Sequence, residues 1–428
     1  MRATQKILNR LRQYESRNVL FAEPDGSWPV VWERARGVHV WDAEGEKYLD
    51  LTAAFGVAAA GHANLRVVRA GQKQMAKLLH AMGDVHPHAL KAALAQRLSE
   101  LTFGRWNKSS GKVIFCNSGF EAVEAALKTA LLATGKRGVI AFTGAYHGLG
   151  YGALNATHRE HFRAPFRPQL REFADFAPFP KTAADLPALE KLLRKILRQK
   201  TIGAILVEPI QARGGINVPP PAFLPLLRKL CDESGTLLIA DEIYTGFGRT
   251  GKWFACEHAR VVPDVICLGK ALTGGFPLSA CVGRAELMDA AWPASTGEAI
   301  HTSTFLGHPV GCAMALAQIT EIKRLKLCER SAALGEFLLA ELASIKNLKS
   351  KIKNSTRGLG LMAGVELTLP SGKPATEAAL IAIKTLLQRG YIFLPEGEHA
   401  NIISFTPPLT ITRAQLARAV AALVEVLK

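Results

Sequence analysis

The sequence predicts an α/β protein organised around a mostly parallel central sheet. Between about residues 110 and 285, short continuous apolar runs alternate with amphipathic helical patterns, and the two chain ends lack that alternation. Runs that are apolar on both faces suit a parallel sheet, because the crossover helices cover it above and below.

The strand candidates, in order, are KVIFC (112–116), GVIAF (138–142), AILV (204–207), TLLIA (236–240), DVICL (264–268) and LSACV (278–282). Between them, EAVEAALKTALLA (121–133), LPALEKLLRKIL (186–197) and AFLPLLRKLCDE (222–233) repeat apolar residues at helical spacing. Near the N-terminus, VHVWDAEGEKYLDLT (38–52) reads as a small hairpin around Ala43-Glu44-Gly45. The C-terminal hundred residues carry helical patterns at 311–325, 331–346, 376–389 and 412–427, with short strands near Leu361–Leu367 and Ile402–Phe405. A chain of 428 residues exceeds what one core normally holds. The expected division is a large domain over 71–315 and a smaller α+β domain built from both ends, 1–70 and 316–428.

Hydrophobic residues make up 48% and charged residues 21%, the balance of a soluble globular enzyme rather than a disordered chain. The 53 basic residues exceed the 36 acidic ones, giving a net charge of +17. They are spread along the chain, and the densest run, Lys191 to Lys200, has leucines at helical spacing, so its charges form a solvated helix face. No nucleic-acid motif accompanies the charge, and no nucleic-acid partner is expected. The field instead favours anionic substrates and phosphate groups. Seven cysteines without a CxxC pair indicate a reducing compartment and small buried hydrophobes, and no metal site is expected. The charged start, MRATQKILNRLRQYESRN, has no apolar signal core, and no apolar run reaches the length of a membrane span. A cytoplasmic protein without membrane attachment is the expectation.

Three polar residues come immediately after strand candidates: Glu208 after AILV, Asp241 after LLIA and Lys270 after DVICLG. Open α/β sheets bind ligands outside the carboxyl ends of their strands, so this set marks a site better than any one member. Each alone would read as a surface loop charge. Asn117-Ser118-Gly119-Phe120-Glu121 opens a helix directly after a strand. Free amides at a helix start hold an anion, and Gly119 lets a phosphate approach closely. The same residues form a capping box, Ser118 with Glu121, and the two roles are compatible. A lysine ending a buried strand is poorly solvated, which makes its neutral amine available as a nucleophile. Asp241, 29 residues before Lys270, suits the pairing of a protonated ring nitrogen.

At this point the sequence resembles a known family. LLIADEIYTGFGRTG (237–251) followed by PDVICLGKALTGG (263–275) is similar to the signature of class III aminotransferases. The blocks NSGFEAVEAALKTA (117–130), YHG (146–148), VEPIQ (207–211) and HTSTFLGHPVGCA (301–313) appear in that family's order, and the likeness spans roughly residues 37 to 425. It implies the fold type I of pyridoxal-phosphate-dependent transferases, a pyridoxal 5'-phosphate cofactor held as a Schiff base on Lys270, and a homodimer. It further implies that Gly119 and Phe120 amides hold the cofactor phosphate with Ser118 alongside, that Tyr146 stacks on the ring and that His147 lies beside it. By the same resemblance, Gln211 bonds the ring hydroxyl, Asp241 pairs with the ring nitrogen, Glu208 supports that aspartate, and Thr304 reaches the phosphate in the neighbouring subunit.

Two departures bear on substrate. Many members carry Arg where this chain has Ser404, in Ser404-Phe405-Thr406-Pro407-Pro408, and an acid in the loop that here reads Gln211-Ala212-Arg213-Gly214-Gly215. Arg213 is therefore a candidate anchor for a substrate carboxylate, or an exposed loop arginine. Phe55 either lines the substrate side of the ring or belongs to the core. The expected reaction moves an amino group by a ping-pong mechanism from an ω-amino acid such as 4-aminobutyrate, or a primary amine, to 2-oxoglutarate or pyruvate. The alternatives within the family are glutamate-1-semialdehyde aminomutase and an amino-acid racemase. A dinucleotide-binding dehydrogenase finds only weak support, since GFGRTG follows an aspartate instead of opening a helix.

Overall fold

The computed structural model describes residues 2–199, 201–343, 345 and 352–428. Its centre is a seven-stranded sheet, with β1 Gly111–Cys116, β2 Gly138–Phe142, β3 Ala174–Ala177, β4 Ile202–Val207, β5 Leu237–Asp241, β6 Val265–Leu268 and β7 Ser279–Arg284. The spatial order is β1-β7-β6-β5-β4-β2-β3. β7 runs antiparallel to both β1 and β6, and the other neighbours are parallel. Every residue of β4, β5 and β6 is buried, which is why these strands read as unbroken apolar runs. Alternate side chains serve two cores. Ile205, Val207, Leu238 and Ile266 join the larger one, while Ala204, Leu206, Ile239 and Cys267 face the helix Gly119–Thr134.

All six expected strands form, and the edge strand β3 was missed. Its sequence, ADFA, is short and carries Asp175 in mid-run, as a half-exposed edge tolerates. The helices Gly119–Thr134, Leu186–Gln199 and Phe223–Ser234 fall where expected. Two of them end at glycines in the left-handed region, Gly135 at φ +64 and Gly235 at φ +61, where a side chain would strain the cap. The basic run continues to Lys200, which lies outside the described residues.

A second sheet joins both ends of the chain. Trp32–Arg36, His39–Asp42 and Lys47–Asp50 form a meander, and Tyr391–Ile392 pairs in parallel with the last of them. The expected turn is present, with Gly45 N donating to Asp42 O at 3.0 Å. A third sheet, antiparallel, orders Lys353–Gly358, Ala363–Thr368, Ile402–Phe405 and Leu394–Glu396. Helices Pro309–Arg324, Leu327–Ala343, Thr376–Gln388 and Arg413–Leu427 match the C-terminal patterns, except that positions 344 and 346 of the expected 331–346 helix lie outside the described residues. All seven cysteines are free and buried. Among the described residues, no helix is long and apolar enough to cross a membrane.

Candidate active site

Three adjacent parallel strands end side by side. Val207 lies opposite Ala240 and Asp241 opposite Cys267, so the carboxyl ends of β4, β5 and β6 are level. Each end delivers one polar residue: Glu208 after β4, Asp241 closing β5 and Lys270 two residues beyond β6. With the start of the Gly119–Thr134 helix, they surround a cavity of about 380 Å³. Of the residues singled out above, Gly119, Phe120, Tyr146 and His147 line its walls, together with Glu208, Asp241, Lys270 and Arg213.

Lys270 projects its amine into this space, with Nζ 4.7 Å from the centre of the Tyr244 ring. Desolvation holds its pKa below the ordinary lysine value, against the opposing pull of Asp241, Glu208 and Glu396. Its backbone sits at φ +42, a conformation uncommon for a non-glycine residue. Asp241 is fixed from two sides: Oδ2 lies 2.7 Å from His147 Nδ1, and Oδ1 accepts from Ile243 N at 3.1 Å. The other ring nitrogen, His147 Nε2, is buried without a hydrogen-bond partner.

Glu208 does not make the contact expected of it. Its carboxylate accepts from Tyr146 N at 3.0 Å and Ala212 N at 3.2 Å, and His147 takes the place at Asp241. Burial raises the Glu208 pKa to about 7, with Asp241 adding to the rise and His147 opposing it. Two carboxylates this close repel, so a histidine is the better support for Asp241. Gln211 is also displaced from its expected role. It is buried outside the cavity wall, with Nε2 donating to Thr143 O at 2.8 Å and Oε1 accepting from Asn217 at 3.0 Å. Its amide ties two loops together.

Ser118 lies at the helix start with its Oγ buried and without a hydrogen-bond partner, while Glu121 reaches back to Asn117 N at 2.7 Å. The reciprocal capping-box arrangement of Ser118 and Glu121 is present, with Glu121 also accepting from Ser118 N at 3.4 Å, while the Ser118 Oγ stands off its helix amide without a strict hydrogen bond. A Cβ on Gly119 would meet Ile243 at 3.1 Å, so the backbone approaches its neighbours closely there. Phe55 is half-exposed, at φ +61, and outside the cavity wall. Its neighbour Gly56 packs on the cavity-lining Tyr244, where a Cβ would come within 2.9 Å of the ring. Thr304 is exposed and does not line the cavity of its own chain.

Sequence reasoning missed Tyr244 and Thr245, which line the cavity, and Glu396, which stands behind it. The first two follow Asp241 within one motif, so position alone could have flagged them. Glu396 ends the strand Leu394–Glu396 and carries no local signal. Ser404 is buried in Ile402–Phe405 with its hydroxyl donating to Leu394 O at 3.0 Å, so that position offers no anchor. Arg213 remains as the guanidinium of the cavity wall among the described residues, 3.3 Å from Glu396 Oε2 and over the Tyr146 ring at 5.9 Å.

Known proteins resemble this chain in sequence and in fold. The model of the family described as aminotransferase class-III matches residues 20–427. An acetylornithine aminotransferase of Methanosarcina mazei is 38% identical over 391 residues, 91% of this chain and 90% of that protein. A putrescine aminotransferase of Pectobacterium atrosepticum is 38% identical over 437 residues, covering 99% and 89%. Among solved structures, a transaminase from the marine bacterium Virgibacillus superposes with a TM-score of 0.90 at 27% identity, covering 99% of this chain and 98% of that one. The ornithine aminotransferase of Toxoplasma gondii gives 0.86 at 29% identity, covering 100% and 95%.

Proposed function

Because the chain belongs to the class III aminotransferase family, we propose that it moves an amino group from an ω-amino acid or primary amine to an oxo-acid, by a ping-pong mechanism. Transamination with pyridoxal phosphate is the activity and cofactor of the family, whose curated members include 5-aminovalerate and putrescine aminotransferases. The cavity residues fit that cofactor. A buried, unpaired hydroxyl at a helix start suits a phosphate, a carboxylate suits a ring nitrogen, and an amine suits an aldehyde.

When bound, pyridoxal phosphate supplies a carbonyl that exchanges for an amino group and a ring that accepts electrons. The chain's own residues do the rest. Ser118 with the Gly119 and Phe120 amides would hold the phosphate, Tyr146 and Ile243 the ring faces, and Asp241, oriented by His147, the ring nitrogen. Lys270 would hold the cofactor, and its amine, once freed and with its pKa lowered by burial, would take the proton from the substrate carbon and deliver it to the cofactor instead of back to that carbon. Arg213 would receive a substrate carboxylate. We read the active unit as a homodimer. Thr304 lies on an exposed stretch with Ile300 and Phe305, and Leu79, Met82 and Val85 are exposed as well, an apolar surface that association would cover.

The observation that carries this reading is the Lys270 amine and the Asp241–His147 pair facing one cavity at the sheet's carboxyl edge. Replacing Lys270 by Ala should abolish turnover with every donor and the visible absorbance of the holoenzyme. Normal turnover in that variant would end the proposal.

A further inference from the structure

Tyr244, just beyond β5, is held from two directions. Thr406 Oγ1 donates to Thr52 O at 3.3 Å and so accepts from the Tyr244 hydroxyl, also at 3.3 Å. Gly56 packs against the ring, where a Cβ would come within 2.9 Å of Cε1, so only glycine lets the ring lie there. The chain reaches Gly56, at φ +79, through Ala53, Ala54 and Phe55 at φ +48, +49 and +61. Successive residues in the left-handed region are costly, and such backbone persists where the surrounding structure fixes it. A segment near the N-terminus and the end of a C-terminal strand thus clasp one aromatic ring.

That ring lies under the Lys270 amine. Nζ is 4.7 Å from the ring centre, inside the roughly 6 Å over which an aromatic face attracts a cation. Among the described residues, the amine has no ion pair. The carboxylates in its field are engaged elsewhere: Asp241 with His147 and Ile243 N, Glu208 with Tyr146 N and Ala212 N, and Glu396 beside Arg213. Burial pushes the Tyr244 hydroxyl up to about 12, so the side chain stays neutral and offers a face without a charge. A buried ammonium without a counter-ion is costly, and a desolvated aromatic face offsets part of that cost.

We propose that the Tyr244 ring holds the Lys270 ammonium formed when the amine has taken the substrate proton, which makes Tyr244 a positioning residue for that transfer. This rests on the transaminase reading and deepens it, by naming where the charge sits between removal and delivery of the proton. The Nζ lone pair forms the new N–H bond, and the electrons of the broken C–H bond pass to the cofactor. A ring that favours the charged amine makes Lys270 a stronger base than burial alone would leave it. Asp241, Glu208 and Glu396 act in the same sense, and desolvation and Arg213 in the other.

The pH midpoint of Lys270 acetylation by acetic anhydride, followed by mass spectrometry in the cofactor-free full chain, tests this apart from turnover. Tyr244→Leu should lower the midpoint by about one pH unit, as loss of a desolvated cation–aromatic contact predicts, and Tyr244→Phe, which keeps the face, should restore it. A ring that only fills space gives the opposite sign, because its removal admits water, relieves the desolvation and raises the midpoint. Phenylalanines of increasing ring fluorination at position 244 keep the packing and should lower the midpoint stepwise, as the face loses its negative charge density. In the holoenzyme, Tyr244→Leu should lower kcat about tenfold and leave the donor KM within about twofold. A midpoint that does not fall in Tyr244→Leu, or that ignores fluorination, would overturn the proposal. If the midpoints shift as described but no donor–acceptor pair transaminates, the ring still holds the ammonium and the transaminase reading fails.

Discussion

Asp241 and Glu242 are joined by one peptide bond and send their carboxylates into two different worlds. Asp241 faces the cavity, and around it Ser118 Oγ, His147 Nε2 and Glu396 Oε2 are buried without hydrogen-bond partners. Glu242, on the other side, is fully buried and saturated: it accepts from Thr245 Oγ1, from Ala255 N at 2.9 Å and from Cys256 N at 2.7 Å. An unpaired buried polar atom is costly, so folds retain it where something else completes it. The saturated side holds the turn after β5 in place. The open side lines the cavity.

The largest effect expected on the open side comes from Asp241→Asn. The amide keeps the size of the side chain but removes the charge, so kcat should fall by about 10²- to 10³-fold. The melting temperature of the cofactor-free protein should move by only a few degrees, about what 1 kcal/mol produces. Steady-state kinetics and calorimetry on one preparation give both values. A kcat within about tenfold of the parent would mean that Asp241 is an ordinary buried acid, and the contrast with Glu242 would disappear.

Glu242→Ala should do the reverse. It leaves the Ala255 and Cys256 amides buried and unpaired, and should destabilise the protein by about 3 kcal/mol in urea unfolding. Glu242→Gln sharpens the point through pH. Desolvation raises the Glu242 pKa to about 7, above the unfolded value, so the stability it contributes is fully present at low pH and lost as pH rises through about 7. Gln does not titrate. The stability deficit of Glu242→Gln relative to the parent should therefore shrink between the carboxylate range and about pH 7, and a deficit that grows would contradict the assignment.

The two sides also differed in how far the sequence disclosed them. Asp241 and Lys270 were legible because β5 and β6 are buried on both faces, so each appears as an unbroken apolar run with a polar residue at its end. Glu396 was not, since it ends no such run and meets Arg213 only through the packing of distant segments. The strand Lys353–Gly358, KNSTRG, is invisible for a related reason: it pairs with Ala363–Thr368 through its backbone and has no apolar periodicity. Resemblance placed Gln211 and Glu208 in the site by position, but their hydrogen bonds go to Thr143 and Asn217, and to Tyr146 and Ala212. Position in a motif specifies where a backbone runs, and the partners a side chain takes depend on what the fold brings next to it.

Ser118→Ala should give the smallest effect and the finest discrimination. A serine at the start of a helix usually contributes about 1 kcal/mol through its bond to a helix amide. Here the buried Oγ makes no such bond, and Glu121 already satisfies Asn117 N. The alanine variant without cofactor should therefore lose less than about 0.5 kcal/mol in unfolding free energy. With cofactor, the hydroxyl would serve the phosphate, and the stabilisation gained on loading should be smaller than in the parent by about 1 kcal/mol. Paired calorimetric scans of apo and loaded protein separate the two quantities. A full capping loss in the apo protein, with an unchanged gain on loading, would move Ser118 to the saturated side of the contrast and leave the phosphate to the backbone amides alone.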